Sequence, residues 1–166
     1  MKKLAVQFFF TLWATLLLSL STSCDSDNDT QLNNGDYIIF GHYYGECIGN
    51  NCVLNYKLTA DKLYEDTNHN YAGNGEFSFT EMSNESYIRV KHILSLLPDE
   101  LLQSDSQTFG CPDCADQGGM LIQLRKDGST KTWRIDQDEA ALPEYLHTVI
   151  DTINGCIGAL HEYAAL

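Results

Sequence analysis

Two close pairs of cysteines have the most chemistry to offer in this chain: Cys111-Pro112-Asp113-Cys114, and Cys47 with Cys52. A Cys-x-x-Cys dithiol exchanges disulfides when a helix N-terminus or a cation lowers its thiol pKa. Here Ala115-Asp116-Gln117-Gly118-Gly119 does not propagate a helix, and the carboxylates of Asp113 and Asp116 raise a thiol pKa. The four thiolates have spacings that zinc accepts, but they would form a doubly negative centre with nothing basic close by in sequence. The favoured chemistry is structural, since short-loop disulfides hold a loop still at a gain of about 2–3 kcal/mol in the chain-entropy model. Each pair can close on itself or the two loops can be cross-linked, because four cysteines allow three connectivities.

The other candidates are weaker. Cys156 falls on the apolar stripe Leu146, Val149, Ile150, Ile153, Ile157, Leu160 and Tyr163, as a buried, unreactive thiol would. His42 shares a strand face with Phe40 and Tyr44 and reads as a packed or hydrogen-bonded core histidine. Asp66, Asn68 and Asn70 have the odd spacing of a calcium loop, but Tyr71 occupies the glycine position and Glu76 arrives one residue early. The polar segment 66–76 therefore reads as a mobile loop. Asp66, His69, Asp113 and Asp116 are the candidate binding-surface residues. There is no Gly-x-Ser-x-Gly elbow, phosphate-cradling glycine loop or His-Glu-x-x-His, so neither a catalytic residue nor a cofactor is expected.

These residues need a scaffold. Tyr37–Tyr44 is aromatic and β-branched with apolar residues on both faces, as in a central strand. Cys52–Leu58 alternates as a half-buried antiparallel partner, and 62–66 and 76–82 are two shorter strands. Ser83 begins a helix whose stripe is Tyr87, Val90, Leu94 and Leu97, with Pro98 ending it and one further turn at 99–102. Residues 120–125 and 130–136 flank Asp127-Gly128, the clearest hairpin signal, with Trp133 and Ile135 able to share a face with Ile122 and Leu124. Pro143 opens a last amphipathic helix of about twenty residues. The expected fold class is α+β: an antiparallel sheet of five or six strands with two long helices packed on one face.

Met1-Lys2-Lys3 precedes an uncharged apolar run from Leu4 to Leu20, then Ser21-Thr22-Ser23-Cys24 and acidic residues. An uncleaved transmembrane anchor would be followed by Lys or Arg, so an export signal is the better account. Removing 1–23 from the 166 residues leaves 143, enough for one domain, over 36–166, behind an acidic, flexible tether at 24–35. The remainder has 8 basic against 23 acidic residues, a net charge of −15. Such a surface repels nucleic acid and anionic headgroups.

The 1–24 segment resembles a bacterial lipoprotein signal peptide, although Ser21 replaces the usual apolar residue. The resemblance implies lipidation of Cys24, a membrane partner through that lipid, and an outer-membrane location. The acidic residues behind Cys24 resemble the surface-export signal of Bacteroidota-type lipoproteins and equally fit a plain linker. The blocks Gly41-His42-Tyr43-Tyr44-Gly45-Glu46-Cys47 and 110–119 look like those of small domains in such lipoproteins, a likeness that brings no activity with it. In element order, and in the Leu142-Pro143 start of the last helix, the chain is also similar to emfourin-like metallopeptidase inhibitors, whose sequences lack these cysteine blocks. The expected function is a non-enzymatic envelope module that binds a protein or small molecule. The alternatives are a peptidase inhibitor and a cysteine-based zinc or redox protein.

Overall fold

A computed structural model describes residues 31–164. Cys24, the apolar run before it and most of the tether lie outside the described residues. Among those described, no helix is long and apolar enough to cross a membrane.

The architecture is α+β. Seven strands, β1 (Tyr37–Tyr43), β2 (Val53–Leu58), β3 (Leu63–Asp66), β4 (Phe79–Glu81), β5 (Gln107–Phe109), β6 (Gly119–Lys126) and β7 (Ser129–Asp136), form one sheet in the order β4-β3-β2-β1-β6-β7-β5. β1 is central because it is apolar on both sides: Ile38, Ile39 and Phe40 are all buried. The β6–β7 hairpin turns at Asp127-Gly128, both at positive φ, and pairs Ile122 with Trp133 and Met120 with Ile135. Two positive-φ residues suit the turn to the twist of the flanking strands.

The sheet departs from the expected one in two respects. It has seven strands, and it is mixed, since β5 runs parallel to β7, pairing Gln107 with Trp133 and Phe109 with Ile135. Trp133, fully buried, adds a bond from its indole N–H to the Asp105 carbonyl at 3.0 Å, tying down the chain just before β5.

One face carries the helices α1 (Asn84–Val90), α2 (Asp99–Gln103) and α3 (His147–Ala164). Ser83 caps α1 by accepting from the Ser86 N–H at 3.1 Å. The stripe expected to continue as one helix to Leu97 divides after Val90 and resumes as a 3-10 turn at Ile93–Leu96, which still buries Ile93 and Leu94. Leu146, Val149, Ile150, Ile153, Ile157 and Leu160 are buried against Ile38, Phe40, Tyr56 and Ile122. Each such side chain contributes about 2 kcal/mol of transfer free energy. Cys156 lies half-buried at the edge of this stripe as a free thiol, its pKa pushed up by burial.

The second face is covered by the segment expected to be a mobile loop. Residues 67–78 fold back over the sheet and bury Ala72 against Ile39, Tyr43, Val53 and Leu121. Asp66 supplies the hinge: it is fully buried, and its Oδ1 accepts from the N–H groups of Asn68 (3.2 Å) and Ser78 (2.8 Å). The amides of Asn68 and Asn70 both donate to the Glu76 carbonyl, and Arg134 Nε donates to the Ala72 carbonyl at 3.1 Å. The odd spacing that suggests calcium closes the loop upon itself.

The end of the tether is also less free than its composition suggests. Leu32 packs against the core, and buried Asp36 accepts from the N–H groups of Asn33 and Asp127. The chain thus enters at the end of the sheet that carries the β2–β3 and β6–β7 turns.

Candidate functional site

The opposite end of β1 collects the residues that the sequence singled out. Both close cysteine pairs are disulfides: Cys47–Cys52 and Cys111–Cys114, each with Cα atoms 5.5 Å apart. Each pair closes on itself, and the two loops are not cross-linked. With the four sulfurs spent in this way they are not free thiolates for a zinc ion, and among the described residues no group of three or more His, Cys, Asp or Glu side chains is placed to hold a metal. Residues 112–117 form turns and bends, so no helix begins at the Cys111–Cys114 pair to activate a thiol as a redox dithiol requires.

What joins the loops is Asp113. Its Oδ2 accepts from the Gly45 N–H at 2.6 Å and from the Tyr71 hydroxyl at 2.7 Å, and its Oδ1 accepts from the Gly118 N–H at 3.0 Å. One carboxylate therefore binds the turn after β1, the loop covering the second face and the return into β6. The hydrogen bond to Asp113, then burial, then the negative charge of Asp113 push the Tyr71 pKa up to about 12. Tyr43 meets Tyr71 edge-on at 5.1 Å, and its own pKa is pushed up to about 12, chiefly by burial.

Two glycines allow this approach. A Cβ at Gly45 would come within 2.6 Å of Asp113 Oδ2, and a Cβ at Gly119 would overlap the Tyr43 ring. The two conspicuous sequence blocks are thus two halves of one packed corner.

A second carboxylate anchors that corner to the sheet. Asp136, at the end of β7 and 2 % exposed, accepts from the Cys111 N–H (2.8 Å), the Gln117 amide (2.9 Å) and the Asp138 N–H (2.9 Å). Burial alone would raise its pKa. The hydrogen bonds from Asp138, Gln117, Cys111 and Gln137 outweigh burial and hold it below the usual carboxylate value.

The remaining candidates divide. Asp116 is exposed beside the Cys111–Cys114 disulfide. His69 is half-buried, its Nδ1 bonded to the Val53 carbonyl at 2.8 Å. Asp66 is wholly buried and structural, so it does not face a partner. His42 is half-buried with Nε2 on the Asn51 carbonyl at 3.2 Å, which braces the Cys47–Cys52 loop from below. Burial lowers its pKa, the Asn51 bond opposes that, and repulsion from His161 adds to it.

Sequence reading missed Tyr71, Gln117, Asp136 and above all Ile48. Ile48 is 103 % exposed, the most exposed large apolar side chain described, at the tip of the Cys47–Cys52 ring. An isoleucine between a cysteine and a glycine in an otherwise polar turn was the signal available.

The ring makes a direct prediction. Replacing Cys47 and Cys52 together by Ser should lower the unfolding free energy by about 2 kcal/mol, the chain-entropy value for so short a loop. A urea melt of the double variant beside wild type measures it.

Compared with protein-family models and with curated proteins, the chain matches none, and the geometry of this corner carries the functional reading.

Proposed function

We infer that the chain is a non-enzymatic binding module of the cell envelope, anchored in the outer membrane by lipid at Cys24, with the disulfide-closed loops at the far end of β1 as its working surface. The observation that carries this reading is Ile48, fully exposed on a ring closed by Cys47–Cys52 and seated on an internally bonded corner. An aliphatic side chain held out from rigid backbone loses little entropy on binding, which is what an interface anchor requires. The seven residues of β1 separate these loops from the entering chain by about 20 Å at the usual strand rise. An anchor at the N-terminus therefore leaves the loops facing outward. A redox role draws no support from a Cys111–Cys114 loop of turns and bends, which offers no helix of its own to activate a thiol.

The test compares wild type with Ile48→Asp. Nothing packs on this side chain, so its replacement should leave stability within about 0.5 kcal/mol. Immobilised wild-type protein should retain a partner from a solubilised envelope fraction, and Ile48→Asp should retain at least about tenfold less, a loss of about 1.4 kcal/mol. Equal retention by both would remove this loop from the working surface.

The same observation favours inhibition of a secreted peptidase as the second reading, because Ile48 has the exposure needed to enter a specificity pocket. Assays against a panel of metallo- and serine peptidases decide it, with no inhibition across the panel ending that reading.

A further inference from the structure

At the other end of β1, where the entering chain bends into the sheet, a cavity of about 260 Å³ opens beside the β2–β3 turn. The residues that matter there are Asn33, Asn34, Tyr37, Lys57, Asp61 and Tyr64. Strand alternation sets Tyr37, Lys57 and Tyr64 on the second sheet face, with Lys57 directly opposite Tyr64 in the register. Both walls are braced. Asp36 ties the entering chain to Asn33 and Asp127, while Thr59 Oγ1 donates to Asp61 Oδ1 and accepts from the Lys62 N–H.

Lys57 is the unusual member. Its Nζ lies 4.9 Å from the centre of the Tyr37 ring, 5.2 Å from that of Phe79 and 5.7 Å from that of Tyr64. Three rings hold the ammonium in one place, so it is a donor already positioned. The cavity thereby combines half-exposed aromatic rings with a fixed ammonium, a carboxylate and two amides.

The geometry points to a site for a pyranose sugar. A sugar ring has an apolar C–H face that stacks on a tyrosine and a rim of hydroxyls that both donate and accept. Asp61 can accept a hydrogen bond from a hydroxyl, the Lys57 ammonium can donate one, and the Asn33 and Asn34 side-chain amides can do either. A cationic ligand would be repelled by the Lys57 ammonium. An anionic one would meet Asp61, and a hydrocarbon would leave the polar rim without partners. The volume is below the roughly 300–1,000 Å³ of sites for drug-sized ligands, which suits a single ring. This site is separate from the loop surface, so the failure of either reading leaves the other standing.

Saturation-transfer NMR on the full chain, in a detergent without a sugar headgroup, tests it with glucose, galactose, mannose and N-acetylglucosamine. Transfer to at least one of them is expected, strongest on its ring C–H protons. Tyr64→Ala should weaken binding about tenfold, while Tyr64→Phe, which keeps the stacking face, should stay within about threefold of wild type. Asn34→Ala, at an exposed position that does not threaten folding, should weaken it about threefold. No transfer to any of the four sugars at about 10 mM, a concentration that detects even millimolar affinity, overturns the proposal. So does a signal that neither alanine variant reduces.

Discussion

Asp136→Ala should lower the unfolding free energy by about 3–5 kcal/mol, the expected cost of leaving several donors of a buried carboxylate without an acceptor. The Cys111 N–H, the Gln117 amide and the Asp138 N–H all lose their partner at once, beneath a position that is 2 % exposed. Asp136→Asn should cost less, since it keeps one carbonyl oxygen. The effect also has a pH signature. The carboxyl pKa is lower in the folded chain than its ordinary value of 3.8, so its contribution is fully present above that value and is lost as pH falls through the folded one. Wild-type and Asp136→Ala unfolding free energies, measured by urea titration at a series of pH values, should therefore converge below about pH 4. A gap that stayed constant into strong acid would show that the carboxylate's charge is not what holds the corner.

Asp113→Ala is the second large effect, and it reaches the candidate binding surface directly. It removes the acceptor shared by Gly45, Tyr71 and Gly118 and places an alanine at φ 60°. Three bonds, two of them exposed and one part-buried, at about 0.5–1 kcal/mol each, with roughly 1 kcal/mol more for an alanine in the left-handed region, give about 3 kcal/mol. Asp113→Asn separates the two causes, because asparagine tolerates that backbone and still accepts. The Tyr71 phenol offers a second readout. Its pKa, raised to about 12 by the Asp113 bond, should return toward 10 in Asp113→Ala and be seen in an ultraviolet titration. Tyr43, raised chiefly by burial, should move far less. If the loop corner is the working surface, Asp113→Ala should also weaken partner retention without altering Ile48 itself.

These two carboxylates form a hierarchy. Asp136 fixes the Cys111–Cys114 loop to the sheet, and Asp113 on that loop fixes the turn at Gly45 and the cover at Tyr71. The disulfides stiffen each loop separately, while Asp113 makes them one surface.

The elements legible in the sequence were those whose information is local. Aromatic and β-branched composition identified β1, alternation identified β2, the Asp127-Gly128 turn identified the β6–β7 hairpin, and three- and four-residue spacing identified α3. In each case neighbouring residues in the chain decide the backbone, and the apolar ones share a face. Closure of the Cys47–Cys52 hairpin loop was legible for the same reason, since short loops close easily, whereas three connectivities fit the four cysteines until the structure paired Cys111 with Cys114.

What only the tertiary structure decided depends on partners far away in the chain. β5 is three residues with no buried stripe, and it is a strand because β7 offers it a parallel edge. Residues 66–76 look mobile by composition, yet the apolar second face of the sheet requires a cover and Asp66 turns the segment onto it. Asp113 finds Tyr71 and Gly45 across separations of 42 and 68 residues, which no local pattern encodes. The sequence by itself determined the long strands and the last helix, because propensity and periodicity are properties of neighbours. Which polar residues would meet was decided by the sheet order, because buried carboxylates take whatever donors the packed backbone brings within reach.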